Sequence, residues 1–393
     1  LLTYSPMPAL EELELAAFRL SPALARRTLS PALVIDRGRV VHNVERVLER
    51  IGDPARWRPH VKTTKSPRIW RELVERGVRR FKCATTREAR ELAGLLAEQG
   101  VEGDVLLAHP ARGPALEELG EIAAAHLTCR FAVLSEDPAH VAQVPAGVGL
   151  FVDLNPGFDR TGIPFDRRED ILAVARAAGD RLRGLHAYEG HRTESDPELR
   201  RERAFAGYRE LLELAAALEA EGLAIGELCT SGTPAFPCAL DFPGFAELEA
   251  GRHTVSPGTV VLHDARSQEQ VPGLGLLPAA VVFTRVVSRP ASGRFTCDAG
   301  SKSIAAEAGH PCAFAVGHPE FVARVPSEEH LPFECAPAEV PELGSELYLV
   351  PRHVCPTVNL AETALLVEDG EELERFPVSG RAHDLVARGE QRP

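Results

Sequence analysis

The chain has 393 residues, with 44 basic and 57 acidic side chains, a net charge of −13, and 44% apolar and 26% charged residues. That length suits one large domain with a smaller companion, and the composition is that of a globular protein with a sizeable core. The acidic balance excludes a general nucleic-acid or anionic-membrane surface, and no run reaches the roughly 18 apolar residues of a membrane span.

Residues 1–30, proline-flanked at both ends, are expected to pack against one domain or the other. Their first ten residues show no basic stretch leading into an apolar one, so no secretory signal is expected. From residue 31, short apolar runs alternate with longer amphipathic ones. Residues 32–36 predict a strand, 39–51 a helix, 56–61 a second strand and 67–77 a helix. Residues 80–84 predict a strand before a helix with Thr86 as its N-cap. Further strands are expected at 104–108, 127–134, 148–154, 182–187 and 225–230, with helices at 168–178 and 198–221 among them. Over residues 31–265 this alternation predicts a parallel (β/α)8 TIM-type barrel. No Gly-x-Gly-x-x-Gly follows the first strand, which argues against a dinucleotide fold. After residue 265 the texture changes. Short β-type runs at 279–287, 293–298, 321–325, 346–350, 364–367 and 374–378 predict a smaller C-terminal all-β domain over 266–393.

Eight cysteines are spread without a Cys-x-x-Cys pair, the pattern of a reduced, cytoplasmic protein. Of the basic residues only Lys62, Lys65, Lys82 and Lys302 are lysine. Arginine cannot give up its proton to act as an amine nucleophile, whereas lysine can once its pKa is lowered. Two of the four lie in Pro59-His60-Val61-Lys62-Thr63-Thr64-Lys65.

In a barrel of this kind, chemistry belongs at the C-terminal ends of the strands. Lys62 falls there, with His60 and two hydroxyls beside it to fix and partly desolvate it. It is the candidate for covalent attachment of pyridoxal phosphate. Arg160, His186, Tyr188, His191, Ser231-Gly232-Thr233 and Pro257-Gly258-Thr259 occupy equivalent places after later strands.

The segment Arg58-Pro59-His60-Val61-Lys62-Thr63-Thr64-Lys65-Ser66-Pro67 resembles the cofactor-lysine segment of the D-threonine aldolase and D-serine dehydratase family, pyridoxal-phosphate enzymes related in fold to alanine racemase. The resemblance recurs at Phe81-Lys82-Cys83-Ala84-Thr85, Asp159-Arg160-Thr161-Gly162-Ile163, Gly184-Leu185-His186-Ala187-Tyr188-Glu189-Gly190-His191, Ser256-Pro257-Gly258-Thr259, Ser327-Glu328-Glu329-His330 and Pro351-Arg352-His353-Val354-Cys355-Pro356-Thr357. It implies that Lys62 carries the cofactor and that Thr233, Gly258 and Thr259 hold its phosphate. It further implies that Arg160 lies by the ring or its 3-oxygen, and that His186 lies near the pyridine. His60 and Tyr188 complete the expected cofactor set.

His353 and Cys355 form a second signal. On an extended strand, residues i and i+2 point to one face, so both side chains can meet one metal. Pro351 and Pro356 bracket the pair and disfavour a helix. Two protein ligands leave open positions, which suits a catalytic site. Thiolate with imidazole favours zinc, with manganese or magnesium also admissible. Glu328, Glu329 and His330 are candidates for the surroundings of the metal or for substrate contact.

The resemblance implies a lyase acting on a small β-hydroxy-D-amino acid, with retro-aldol cleavage to glycine and an aldehyde as the lead reading and His191 as a candidate base. Dehydration of D-serine or 3-hydroxy-D-aspartate to a keto acid and ammonia is the alternative, since the family also contains His-x-Cys dehydratases. A tyrosine found in dehydratase relatives is Thr193 here. A racemase would need a tyrosine base from the β domain, where only Tyr348 is available, and a non-catalytic cofactor carrier would not need the β domain. A homodimer is expected from the resemblance.

Overall fold

The computed structural model describes residues 18–387; the expectation placed on residues 1–17 lies outside the described residues. Its contacts divide into two compact units. One comprises the described residues up to Arg46 with Thr63–Arg68 and Thr259–Arg381; the other comprises Val47–Lys62, Ile69–Gly258 and the described residues from Ala382.

The first strand, β1 (Ala32–Asp36), forms where the apolar run predicts it but not in the expected sheet. It runs antiparallel to β10 (Ala280–Ala291) and parallel to β16 (Thr363–Glu368). A run of four apolar residues fits any strand buried on both faces, so its partner cannot be read locally.

The second unit is a parallel β/α barrel. Its strands are β2 (Arg80–Cys83), β3 (Gly103–Leu107), β4 (Cys129–Ser135), β5 (Val148–Asn155), β6 (Ile163–Pro164), β7 (Leu182–Ala187), β8 (Glu227–Thr230) and β9 (His253–Val255). They pair in the order β2-β3-β4-β5-β7-β8-β9, with β6 beside β5. Residues 56–61, expected as a strand, make only single parallel bridges, Trp57 to Val255 and His60 to Lys82. These reach from β9 to β2, so the segment spans the gap between the two end strands. Pro59 has no N–H to donate, and 3-10 turns at Pro54–Arg56 and Val61–Thr63 bound the extended stretch.

Between strands lie the helices that the alternation requires. The one at Thr86–Glu98 is capped by Thr85, not Thr86. The Thr85 hydroxyl accepts from Glu88 N at 3.1 Å, and the Glu88 carboxylate accepts from Ala84 N at 2.6 Å. Leu106, Ala132, Leu134, Phe151 and Cys229 form an apolar cluster in the sheet. A polar plug accompanies it. The fully buried Arg58 gives two hydrogen bonds of 2.7 Å to Glu227 and one of 2.8 Å to Asp104. Burial alone would raise the Asp104 carboxyl, but Arg58 and Arg183 hold it down at about 2.

The first unit is built on a nine-stranded sheet. Besides β1, β10 and β16 it contains β11 (Arg294–Cys297), β12 (Ala313–Ala315), β13 (Val322–Ala323), β14 (Leu331–Glu334), β15 (Glu346–Pro351) and β17 (Glu371–Pro377). The order is β11-β14-β13-β12-β15-β10-β1-β16-β17, and β11 also pairs with β10, closing part of the sheet on itself. Every pairing except β1 with β16 is antiparallel. One core packs Phe295, Phe321 and Phe333 with Leu331 and Leu349; another packs Phe18, Leu24, Phe283 and Val350. No described helix is long and apolar enough to cross a membrane.

Candidate functional site

In the barrel unit, Lys62 is half-buried in the 3-10 turn that ends the 57–60 segment. Its backbone N–H points to His60 Nδ1 at 3.4 Å. Two contacts hold this segment beside the turn at 256–258. Trp57 Nε1 donates to the Pro257 carbonyl at 3.0 Å, and Gly258 approaches so closely that a Cβ there would lie 2.1 Å from the His60 carbonyl oxygen. Only glycine fits at 258. A peptide backbone with no side chain at a strand end can approach an anion closely.

Lys82, on β2, is 3% exposed. Its Nζ lies 2.6 Å from His186 Nε2, and His186 Nδ1 lies 2.7 Å from Asp153 Oδ1. These three residues from β2, β5 and β7 form a buried chain at the C-terminal ends of their strands. Burial lowers the Lys82 ammonium, opposed by Cys229 and Asp153 and assisted by Lys62 and Arg160. Burial and then the Lys82 charge hold the His186 imidazole down at about 4, despite Asp153. His186 is therefore neutral near pH 7, with both ring nitrogens engaged.

Tyr188 follows β7. Its ring fills the space that a Cβ at Gly190 or Gly232 would occupy, 2.3 Å and 2.8 Å from the nearest ring atoms. Two cations face it, Lys82 Nζ at 5.1 Å and the Arg160 guanidinium at 4.9 Å from the ring centre. Arg160 also lies 4.9 Å from the Phe158 ring, so it packs on aromatic faces rather than on a carboxylate. His191 stacks on Phe158 at 5.4 Å; both its ring nitrogens are buried without a hydrogen-bond partner, and burial lowers its pKa.

The turn carrying Thr233 is held from below by Glu189. This buried carboxylate accepts from Ser231 N at 3.0 Å and from the Tyr208 hydroxyl at 2.5 Å, and Ser231 takes the left-handed φ of 53°. Thr233 is buried in the turn leading into the helix Phe236–Asp241. Burial raises the Glu189 carboxyl.

In the first unit, His353 and Cys355 are not on an extended strand. After β15 the chain turns at Arg352, His353 is the N-cap, and Cys355 and Pro356 lie in the first turn of the helix Val354–Leu360. Proline is tolerated there because a first-turn N–H has no intrahelical acceptor to lose. The side chains nevertheless meet, joined by a hydrogen bond that helps raise His353 to about 9 against the opposing effect of its burial. Asp264 anchors the turn. One of its oxygens accepts from Val354 N at 2.8 Å and the other from Ser267 N at 2.7 Å, at the starts of two helices. Arg352 fixes the other side through Glu269 at 3.0 Å and the Pro311 carbonyl at 2.8 Å. Two hydroxyls face the Cys355 sulfur, Thr63 Oγ1 at 3.1 Å and Thr259 Oγ1 at 3.5 Å.

Glu328 and Glu329 are exposed, and both pair with Lys302 Nζ at 3.0 Å; His330 is exposed in the same turn. The carboxylate that contacts His353 Nδ1 is instead Glu307, which no motif signals. Asp153 was likewise missed, and Glu189 was quoted without a role. Lys82 was visible as one of four lysines and within the resemblance but was given no role, although a charge in the middle of an apolar strand was itself a signal.

The glycine approach at 258, the amine of Lys62 and the polar chain of Lys82 fit an anionic, aldehyde-bearing cofactor. An imidazole and a thiol side by side fit a divalent ion with open positions. Among the described residues no group of three or more His, Cys, Asp or Glu side chains is gathered for a metal.

Comparison with known proteins agrees with this fold. The family model "Alanine racemase, N-terminal domain" matches residues 35–261, and a serine dehydratase domain model matches residues 279–367. The D-threonine aldolase of an Arthrobacter species is 29% identical over 90% of this chain and 93% of its own length. The 3-hydroxy-D-aspartate aldolase of Paracoccus denitrificans is 28% identical over 90% and 92%. The crystal structure of D-threonine aldolase from Filomicrobium marinum superposes with a TM-score of 0.80 at 26% identity, covering 91% of this chain and 97% of that one.

Proposed function

Because the chain belongs to the alanine racemase N-terminal domain family, we propose that it is a pyridoxal-phosphate- and divalent-metal-dependent lyase that cleaves the Cα–Cβ bond of a β-hydroxy-D-amino acid, giving glycine and an aldehyde. Its characterised sequence relatives are aldolases and a dehydratase, and the aldolases match over about 90% of this chain whereas the dehydratase matches over 56%. The observation that carries the reading is the His353–Cys355 pair, two converging metal-type donors in a β unit that a racemase would not need to equip in this way. The tyrosine a racemase would use is engaged elsewhere: the Tyr348 hydroxyl is buried and accepts from Leu20 N at 3.0 Å.

In this reading Lys62 holds the cofactor covalently, Gly258 with Thr233 and Thr259 holds its phosphate, and His60, Arg160, His186 and Tyr188 surround its ring. When bound, the cofactor supplies an electron sink for the broken Cα bond, and an ion held by His353 and Cys355 supplies acidity to the β-hydroxyl. His191 takes the hydroxyl proton at a ring nitrogen. Its depressed pKa keeps it neutral, and neither nitrogen is committed to a protein partner. His186 is locked at both nitrogens, so it orients and does not exchange protons.

Purified protein incubated with D-threonine should release glycine and acetaldehyde, lose turnover in EDTA and regain it with a divalent ion. Pyruvate from D-serine without glycine from D-threonine would replace this reading with the dehydratase one, which the serine dehydratase domain match over residues 279–367 favours. Lys62→Ala should leave no cofactor attached after borohydride reduction. A homodimer belongs to the proposal and is measured by sedimentation.

A further inference from the structure

We propose that Glu307 is the positioning carboxylate of the metal pair: it takes the Nδ1–H of His353 and thereby presents Nε2 as the ligand nitrogen. The inference rests on His353 and Cys355 being the metal-holding residues. A neutral imidazole has one N–H and one lone pair, so the partner at one nitrogen decides which nitrogen can bind an ion. Glu307 contacts His353 at Nδ1.

The other carboxylates of the candidate segments are committed elsewhere. Asp264 is spent on two backbone N–H groups, Glu269 on Arg352, and Glu328 and Glu329 on Lys302. Glu307 has no second hydrogen bond or ion pair among the described residues, and its side chain is about half exposed. The backbone holds it in place. Ala305 N donates to Thr357 Oγ1 at 3.2 Å, and that hydroxyl donates to the His353 carbonyl at 2.9 Å. The strand-to-helix turn and the loop carrying Glu307 are thus tied through one threonine. A carboxylate behind a ligand histidine fixes its ring and raises its basicity, and losing such a partner typically weakens metal binding tenfold to a hundredfold.

The test is zinc affinity of the full-length protein, measured by competition with a chromophoric chelator and independent of turnover. Glu307→Gln should bind zinc about tenfold to a hundredfold more weakly, and Glu307→Asp should recover most of that loss. His353→Ala and Cys355→Ala should each abolish high-affinity binding. Wild-type affinity in Glu307→Gln, with loss in His353→Ala, would overturn the role of Glu307 and leave the metal pair standing. Wild-type affinity in both His353→Ala and Cys355→Ala would overturn the metal pair and this inference with it. Nitrogen-15 NMR of the unsubstituted zinc-loaded protein needs no variant: His353 should be protonated at Nδ1, and protonation at Nε2 would overturn the proposal.

Discussion

Lys82 Nζ lies 2.6 Å from His186 Nε2, deep in the barrel and backed by Asp153 on the far side of the imidazole. A primary amine and an imidazole this close share one protonation equilibrium, and each charge disfavours the other. Lys82→Met should therefore raise the His186 pKa from about 4 by about one unit or more. Histidine NMR across a pH series reads this directly in the protein without cofactor. An unmoved His186 would mean that burial alone sets its value.

His253 offers a cleaner pH experiment. It is buried, stacked 3.8 Å from Phe245, bonded through Nε2 to Thr230 at 2.9 Å, and held by burial at about 3. Its folded pKa lies below its unfolded value of 6.5, so the unfolded chain binds the extra proton. The stability it contributes is complete above pH 6.5 and is lost as pH falls from 6.5 toward 3. Burial-raised Glu189 and Asp36 run the opposite way, so the difference between proteins is the measurement. His253→Gln should remove up to about 1.4 kcal/mol per pH unit from the slope of urea-unfolding free energy between pH 6.5 and 4.5. Parallel slopes for the two proteins would contradict the assignment.

Arg58 serves two acids at once and is the fully buried cation between them. Without it, among the described residues, Asp104 keeps only the more exposed Arg183 and Arg130, and Glu227 only Arg80 at 3.5 Å and the Thr254 hydroxyl. Arg58→Met should destabilise the barrel by about 3–5 kcal/mol, read as a shift in the urea midpoint. A loss under about 1 kcal/mol would show that water reaches Glu227 and Asp104.

Gly258→Ala and Gly232→Ala make a matched pair. The added methyl at 258 meets backbone, the His60 carbonyl, whereas at 232 it meets the movable Tyr188 ring. The first should weaken binding of pyridoxal phosphate at least about tenfold, because the backbone itself must shift. The second should cost less, with Tyr188 rotating away. Fluorescence titration of the protein with the cofactor decides. Equal effects would mean that the 256–258 turn does not form the phosphate end.

Much of this was legible beforehand because it is written in local pattern. The barrel came from strand-helix alternation, and the Lys62 and His353–Cys355 segments stood out by residue type. The errors share a cause. β1 was assigned to the wrong sheet because four apolar residues in a row carry no information about their neighbours. Residues 56–61 read as a strand by composition, but they pair only at single residues. The His353–Cys355 turn was expected to be extended because Pro356 was treated as a helix breaker, whereas in a first turn it breaks nothing. Asp153 and Glu307 went unsignalled, and Glu189 was quoted without a role, for a different reason: a lone acid in sequence acquires meaning only from what the fold sets beside it.

Asp264 sets a limit on how this chain can vary. Its two carboxylate oxygens each receive an N–H from the start of a different helix. Asparagine, nearly the same in size and shape, has one oxygen and one NH2 group, so one of the two helices would meet a donor where it needs an acceptor. The most conservative replacement in volume is thus among the least tolerable here, because two coils draw on the same anion.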